Sequence, residues 1–527
     1  MRKLVSVSMV LVVALTLVLA GCSSKPSSPA ASSSSTDTKG TAQSSANAGG
    51  SKHLTIAIPY DVQGFDIHNH NNTPTEAVHV NLFSYLVKKN EKQVIEPDLA
   101  VSWESIDDTT WRFVLRQGVK FHNGDPFTSA DVKYTLERVS KDDKLLEYGN
   151  YKQIKEVKIV DEYTVDIITD GPQPALLNRL SRLGSGMLPS KYLEEQGWEK
   201  FQSNPIGTGP YKFKQWIRDD RLELVRNPDY VGDAPNWDEV TFRVIPEDAT
   251  RVAELLTGGV DIAVNVPAID MDRIESNEGT HAAATPTQRV IQLNVRTKEG
   301  TVTADPRVRE AIDLAIDKQA IVDSIYMGAA TPTRTRVTPG NFGAKADLFG
   351  TSLYDPERAK QLLKEAGYEK GLKLTFNASG DSSKDKETAE LITAMLAEVG
   401  IEAKLELLEN SAYQEKFRGR TFDELVLIPF GNSMFDAALA FSRISTQGAK
   451  GETDYSNAEV DRLLAAAETN MNAKEREQQY FKVQDIIAQE RPFIYLFQEN
   501  ANFGISDRVE FSPRLDEMLY ADQVTLK

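Results

Sequence analysis

Cysteine is almost absent from this sequence: one residue, Cys22, occurs among 527. A disulfide within the chain is therefore excluded, and any thiol chemistry would fall to Cys22 itself. Histidine is also sparse, with six residues, and the chain contains neither a G-x-S-x-G nor an H-E-x-x-H pattern. These absences argue against a hydrolase, since its nucleophile, base or metal ligands would have to come from such groups.

Basic residues are outnumbered, because 60 Lys and Arg face 77 Asp and Glu and the net charge is −17. Nucleic-acid binding requires clustered cations, so this class of partner is excluded, as is a broad electrostatic attraction to anionic lipid. A second long apolar run, beyond the one at residues 4–20, is also missing. The sequence therefore predicts a globular protein without a membrane span.

The single cysteine stands between that apolar run and a serine-rich stretch. Residues 1–21 have a basic start, an apolar centre and small residues at the end, which predicts a secretory signal peptide. The sequence LAGC, ending at Cys22, resembles the bacterial lipobox, so we expect Cys22 to be acylated after cleavage. Residues 22–52 are rich in Ser, Ala, Thr and Gly and are predicted to be a flexible tether. The alternative is an ordinary signal peptide with an incidental cysteine.

Strand and helix patterns alternate along the remaining chain. Residues 54–58 alternate as a half-buried strand does, and residues 111–121 predict a hairpin with its turn at 117–118. N-cap chemistry at Thr128 predicts a helix over about 128–139. Capping aspartates before prolines, Asp305 and Asp355, predict two more helix starts. The class is mixed α/β.

Three stretches are more specific than any periodicity: PDLAVSWESIDDTTWRFVLRQGVKFHNGDPFTSADVKYTLERV (residues 97–139), NPIGTGPYKFKQW (204–216) and DPRVREAIDLAIDKQAIV (305–322). In this order they resemble the extracellular solute-binding proteins of the peptide, dipeptide and nickel class, which deliver solutes to ABC importers. The resemblance implies an α/β, two-lobed periplasmic-binding-protein-like clamshell with an extra subdomain and discontinuous lobes joined by a hinge. The expected division is lobe I at 53–85, 206–296 and 492–527, the extra subdomain at 86–205, and lobe III at 297–491.

Histidines offer one candidate site. His68 and His70 would share a face if they lay on a strand, so a metal site there is an alternative to a polar loop at the cleft mouth, where His68 would contact ligand. His79 follows further along. We expect no resident metal or other cofactor.

The resemblance also implies that ligand specificity comes from lobe III, where relatives pair a carboxylate with the peptide ammonium and an arginine with its carboxylate. In IPFGNSMFDAALAF the acidic position falls on Asn432, with Asp436 as a possible substitute, and the arginine position falls near Ser379. These departures put a plain dipeptide in doubt. Other candidate contacts are the cations Arg179, Arg182 and Arg296 and the aromatic residues Tyr60, Phe430 and Phe435.

The predicted function is that of a non-enzymatic, lipid-anchored receptor, monomeric and extracytoplasmic, which binds a short peptide or peptide-like solute and passes it to the transmembrane subunits of an ABC permease. The alternatives are a receptor for a nickel or other metal chelate, an opine or an oligosaccharide, and a secreted hydrolase.

Overall fold

The alternating stretch at residues 54–58 is a strand, β1 (His53–Ile58), as predicted, but Ala57 on its second face is buried as well, so the strand is not half-buried. The computed structural model describes residues 52–182 and 184–527. The predicted signal peptide and the lipidation site Cys22 lie outside these residues, as does all of the predicted tether except Lys52. Within the described ranges, none of the helices combines the length and apolar character that crossing a membrane requires.

Residues 53–203 contain a four-stranded sheet, a two-stranded sheet and several helices, while their first strand, β1, belongs to a larger sheet. After β1 the elements are α1 (Thr73–His79), β2 (Val87–Lys89), β3 (Ile95–Pro97), β4 (Ala100–Asp107), β5 (Thr110–Leu115), α2 (Ser129–Lys141), α3 (Tyr148–Tyr151), β6 (Ile154–Asp161), β7 (Thr164–Thr169), α4 (Leu176–Arg179) and α5 (Ser190–Ser203). The predicted cap of α2 is confirmed by a capping box. The Thr128 side chain accepts from a backbone N–H of the first helical turn, and the Asp131 side chain accepts from the backbone N–H of Thr128. These N–H groups would otherwise lack an acceptor within the helix.

The predicted hairpin over residues 111–121 is wrong in its second half. β5 pairs with β4 before it and with β7 after it, in the order β4-β5-β7-β6. Residues 116–121 continue as a loop, in which Lys120 makes an isolated bridge to Pro126. Both edges of β5 are thus occupied, and no edge remains for residues 119–121 to pair with.

The GTGPY stretch at residues 207–211 seats the next segment against the first. A Cβ on Gly207 would lie 1.9 Å from the carbonyl oxygen of Leu82, and one on Gly209 would lie 2.6 Å from that of Asn81. The two backbones therefore approach closer than any side chain allows. The elements that follow are β8 (Tyr211–Ile217), β9 (Arg221–Arg226), β10 (Glu239–Val244), α6 (Asp248–Leu256), β11 (Ile262–Val264), α7 (Met271–Glu275) and β12 (Thr280–Val295).

The second half of the chain is richer in helices. It contains α8 (Pro306–Ala315), α9 (Lys318–Ser324), β13 (Ala330–Pro332), α10 (Pro356–Glu365), β14 (Leu372–Ser379), α11 (Ser383–Glu398), β15 (Ile401–Leu408), α12 (Asn410–Gly419), β16 (Leu425–Gly431), α13 (Ala437–Ala440), α14 (Thr446–Ala449), α15 (Ala458–Thr469), α16 (Ala473–Glu490), β17 (Phe493–Ser506), β18 (Val509–Glu510) and β19 (Thr525–Leu526). Asp305 caps α8 and Asp355 caps α10, which confirms both predicted helix starts.

Two long strands connect the halves of the molecule. The large sheet has the order β15-β14-β16-β12-β17-β11-β1-β10-β9-β8, with β13 also on β17. The 290–295 part of β12 and the 493–497 part of β17 are buried in cores with the second-half helices, whereas Phe503 and Ile505 are buried with β1 and β10. The change from one lobe to the other therefore occurs within β12 and β17. This is the mixed α/β, two-lobed clamshell that the sequence predicts.

Candidate functional site

A cavity of about 980 Å³ lies between two walls. One, the 71–182 wall, consists of cavity-lining residues between Asn71 and Arg182; the other, the 417–480 wall, consists of those between Phe417 and Tyr480. Gln288 and Arg289 of β12 and residues 516–520 complete the lining. The volume is at the upper end of the range for small-molecule sites, about 300–1,000 Å³.

Aromatic side chains contribute to the 417–480 wall. Phe430 and Phe435, both predicted ligand contacts, line the cavity. Phe435 has a φ of 55°, a left-handed conformation that costs a bulky residue free energy. The tight turn that begins at Asn432 enforces it, since the Phe435 amide donates to the Asn432 carbonyl at 3.0 Å. Asn432 itself is buried behind this turn, where its amide donates to Asn341 Oδ1 at 2.8 Å, and it does not line the cavity.

Two hydrogen bonds cross the cavity from wall to wall. Asn178 Nδ2 donates to the carbonyl of Met434 at 2.9 Å, and Arg182 Nε donates to Ser433 Oγ at 3.0 Å. Arg182, a predicted contact, is 5% exposed and its Nη1 lies 2.7 Å from Glu147 Oε2. Burial disfavours the guanidinium charge, but the carboxylates of Glu147 and Glu76 together with Tyr151 outweigh it, and the pKa of Arg182 is raised. Arg182 therefore ties the walls together with its charge already balanced.

Three further cations of the 71–182 wall have no carboxylate within salt-bridge distance among the described residues: Arg179, Lys89 and the exposed Lys152. Arg179 Nη1 donates to the carbonyl of Asn150 at 2.8 Å, and its buried Nε has no partner. Lys89 Nζ donates to Ser181 Oγ at 2.7 Å and lies 5.4 Å from the centre of the Phe435 ring. Burial lowers the pKa of Lys89 to about 7, although Asp516 opposes the shift. Arg179 and Lys89 therefore line the cavity without a carboxylate in direct contact, although Asp436 acts on both from further away.

The carboxylate of Asp436, the predicted substitute for the family's acidic residue, is fully engaged inside its own lobe. Its two oxygens lie 2.6 and 2.8 Å from Arg476, which comes from α16. One oxygen also accepts the amide of Ala438 at 2.8 Å and so caps α13. Asp436 is 1% exposed and is not part of the cavity lining. Its geometry is that of a structural ion pair.

Three other predicted contacts lie away from the cavity. Tyr60 is 63% exposed just beyond β1. Arg296 pairs with Asp454 at 2.9 Å and donates to the carbonyl of Phe422 at 2.7 Å. His68 is buried with its Nδ1 2.6 Å from the guanidinium of Arg138. Tyr60 faces solvent, Arg296 and His68 contact neighbouring groups, and none of the three lines the cavity.

His70 does not pair with His68 in a metal-like arrangement, but it does lie beside two other potential ligands. His70, Glu76 and His79 each offer one ligand atom, and these atoms all lie within 4.8 Å of one another. All three residues are buried. Burial lowers the pKa of His70 to about 4 and raises that of Glu76 to about 7. Glu76 and His79 are separated by three positions on α1, a spacing that could have pointed to the cluster in the sequence.

The fold and site together define a class of protein. Two lobes meet over a polar, partly aromatic cavity, the lobes share two crossing strands, and the lining includes cations that have no carboxylate partner. Such an arrangement encloses a small solute and can open by a hinge movement.

Comparison with known proteins gives the family. The family described as "Bacterial extracellular solute-binding proteins, family 5 Middle" matches residues 94–452. The glutathione-binding protein GsiB of Salmonella paratyphi A is 31% identical over 462 residues, which cover 85% of this chain and 89% of that protein. The chain belongs to the family 5 solute-binding proteins.

Solved structures agree with this assignment. DppA of Helicobacter pylori, in complex with the peptide STSA, matches with a TM-score of 0.77 and 26% identity, over 90% of this chain and 98% of that one. AgaA of A. tumefaciens, in complex with agropinic acid, matches with a TM-score of 0.76 and 26% identity, over 90% and 99% of the two chains. The protein is therefore an extracytoplasmic solute-binding component of an ABC importer, and it is not an enzyme.

Proposed function

We propose that this protein captures a short peptide or peptide-like solute that carries at least one carboxylate, and delivers it to its permease. The observation that carries the proposal is the pair of cations without carboxylate partners, Arg179 and Lys89, in the cavity between the walls. A carboxylate enclosed there would make charge-assisted hydrogen bonds in a poorly solvated space, where they are strong. Glutathione fits this chemistry, and its binding by GsiB makes it the first ligand to test.

The capture mechanism we propose is closure about β12 and β17. The pairing of these strands shifts register between Pro286 and Val290, and Gln288 and Arg289 line the cavity at this point. An interrupted ladder bends more easily than a regular one. A solute held by both walls favours the closed form, which displays a shape that the permease can recognise.

The anchoring we propose is through Cys22, on the strength of the LAGC sequence and the serine-rich segment that follows it. In a bacterial host, the mature protein should label with palmitate and remain with the membrane. A Cys22→Ala variant should lose the label and be released. A wild-type protein that is recovered unlabelled in the medium would contradict the lipoprotein assignment.

The ligand assignment is tested by isothermal titration calorimetry of the purified protein with glutathione, with dipeptides and tetrapeptides, and with agropinic acid. Glutathione monoethyl ester, which lacks one carboxylate, serves as the matched control ligand. We expect binding of one or more carboxylate-bearing peptides, with the ester binding at least tenfold more weakly and the ligand recovered unchanged. Binding that is restricted to a neutral oligosaccharide, or that requires nickel, would overturn the proposal.

A further inference from the structure

We infer that His70, Glu76 and His79 form a binding site for one divalent transition-metal ion of the zinc or nickel type, in the wall beneath the cavity. Two imidazoles and a carboxylate are a ligand set that such ions take in proteins. The inference does not depend on which solute the cavity binds.

The unpartnered nitrogens are the first argument. His79 is 0% exposed and its Nε2 lies 2.9 Å from the carbonyl oxygen of Gly64. This contact requires the proton on Nε2, so Nδ1 presents a lone pair, and Nδ1 is buried without a partner. His70 is 2% exposed and both of its ring nitrogens lack partners. Buried acceptors of this kind are costly unless a donor or a metal ion satisfies them.

Groups around the three proposed ligands hold two of them in place, as the hydrogen-bond partners of metal ligands commonly do. A metal-binding histidine commonly donates its second N–H to a backbone carbonyl, which fixes its tautomer, and His79 does so to Gly64. Glu76 is held in the same way, because the hydroxyl of Tyr85 donates to its Oε1. These contacts orient one imidazole nitrogen and one carboxylate group before any ion arrives.

The geometry requires little rearrangement. The rings of His70 and His79 are nearly perpendicular, at 85°, with centroids 5.0 Å apart, and the three ligand atoms lie within 4.8 Å of one another. In a tetrahedral site with bonds of about 2.1 Å, ligand atoms are about 3.4 Å apart, so movements of about an ångström suffice. Three protein ligands leave one coordination position open.

The electrostatics of the site permit a cation. Arg182 acts on His70 as a positive charge, but Glu147 balances it at 2.7 Å. Glu76 supplies a carboxylate to the ion, whereas Asp66, which also acts on His70, is paired with Arg138 at 2.8 Å and adds no net charge. Glu76 belongs to the cavity lining as well, so an ion here would lie at the boundary between the protein interior and the solute.

The test is a zinc titration of the chelator-stripped protein, followed by calorimetry and by metal analysis after gel filtration, with no peptide present. We expect one equivalent of zinc per chain, and zinc affinity reduced more than about a hundredfold in His70→Ala and His79→Ala. Cobalt should give the visible absorption of a tetrahedral ion in the wild type and lose it in both variants.

The matched control is His281→Ala, which removes a half-buried histidine 2.8 Å from Asp507 and should leave zinc binding unchanged. His70 lies in the loop before α1, so its variant keeps the test decisive if His79→Ala fails to fold. No stoichiometric zinc in the wild type, or stoichiometric zinc that survives both substitutions, would overturn the inference. Because peptide is absent, failure of the peptide assignment leaves this result unaffected.

Discussion

The two walls of the cavity use their charges differently. In the 71–182 wall, Glu147 balances Arg182, but Arg179 and Lys89 face the cavity without a carboxylate partner. In the 417–480 wall, Arg476 is paired with Asp436 and Arg443 with Glu452. A charge that is balanced inside its lobe contributes to the stability of that lobe, whereas an unbalanced buried cation is a cost that a ligand can remove. The role of a charged residue near the cavity therefore depends on whether it has an oppositely charged partner, and its position alone does not reveal that role.

The largest effect is expected for Asp436→Ala. The substitution leaves Arg476 buried without its partner and removes the cap of α13, so we expect the free energy of unfolding to fall by about 3–5 kcal/mol. Urea unfolding followed by circular dichroism measures this. The control is Glu369→Ala, which breaks an exposed pair with Lys364 and should cost about 1 kcal/mol or less. An Asp436→Ala variant that keeps its stability but no longer binds peptide would show that Asp436 contacts ligand.

The next effect concerns the unpaired cation. Arg179→Ala should weaken glutathione binding by about 10- to 100-fold, because a charge-assisted hydrogen bond contributes about 1.5–3 kcal/mol, and it should leave the unfolding midpoint nearly unchanged. Calorimetry measures the affinity. Arg443 also lines the cavity but pairs with Glu452 at 3.1 Å, so Arg443→Ala is the matched control and should cost less affinity. Equal losses in the two variants would remove the distinction between the walls.

Lys89, which has no carboxylate partner, should make the affinity for an anionic ligand depend on pH. Burial lowers the pKa of this ammonium to about 7 in the folded protein, and an anionic ligand binds the protonated form. The affinity for glutathione should therefore fall as the pH rises through 7, by about tenfold between pH 6 and pH 8. Lys89→Arg keeps its charge throughout this range and should lose most of the slope. A slope that persists in full in Lys89→Arg would assign the titration to another group, such as Glu76.

Features of the fold were predictable from the sequence where they depend on residues that are close together in the chain. The caps at Thr128, Asp305 and Asp355 depend on residues within a few positions, and all three were predictable. The hairpin at 111–121 failed because the competing partner of β5, the strand at 164–169, lies about 50 residues away along the chain. The residues around 111–121 carry no information about this distant strand, so the local pattern could not predict the pairing.

The same distinction applies to the site. Arg182, Phe430 and Phe435 were predicted to face the solute, and they line the cavity. Whether a charge is available was beyond prediction, because Asp436 is neutralised by a residue 40 positions later in the chain. Lys89 was missed altogether, since a lysine on a short strand resembles any surface lysine until the fold buries it.

The smallest effect concerns closure itself. The hydrogen bond from Arg182 to Ser433 joins the walls at 3.0 Å, and Ser433→Ala removes its acceptor without touching a charge. Losing about 1 kcal/mol from the closed form should weaken glutathione binding about fivefold, mostly through faster dissociation in stopped-flow measurements. Ser442 also lines the cavity but donates within its own wall, to the carbonyl of Leu439 at 2.9 Å, so Ser442→Ala should change dissociation little. If the two serine variants release ligand at the same rate, the bond between the walls does not contribute to holding the cleft shut, and closure must rest on the solute and the cations alone.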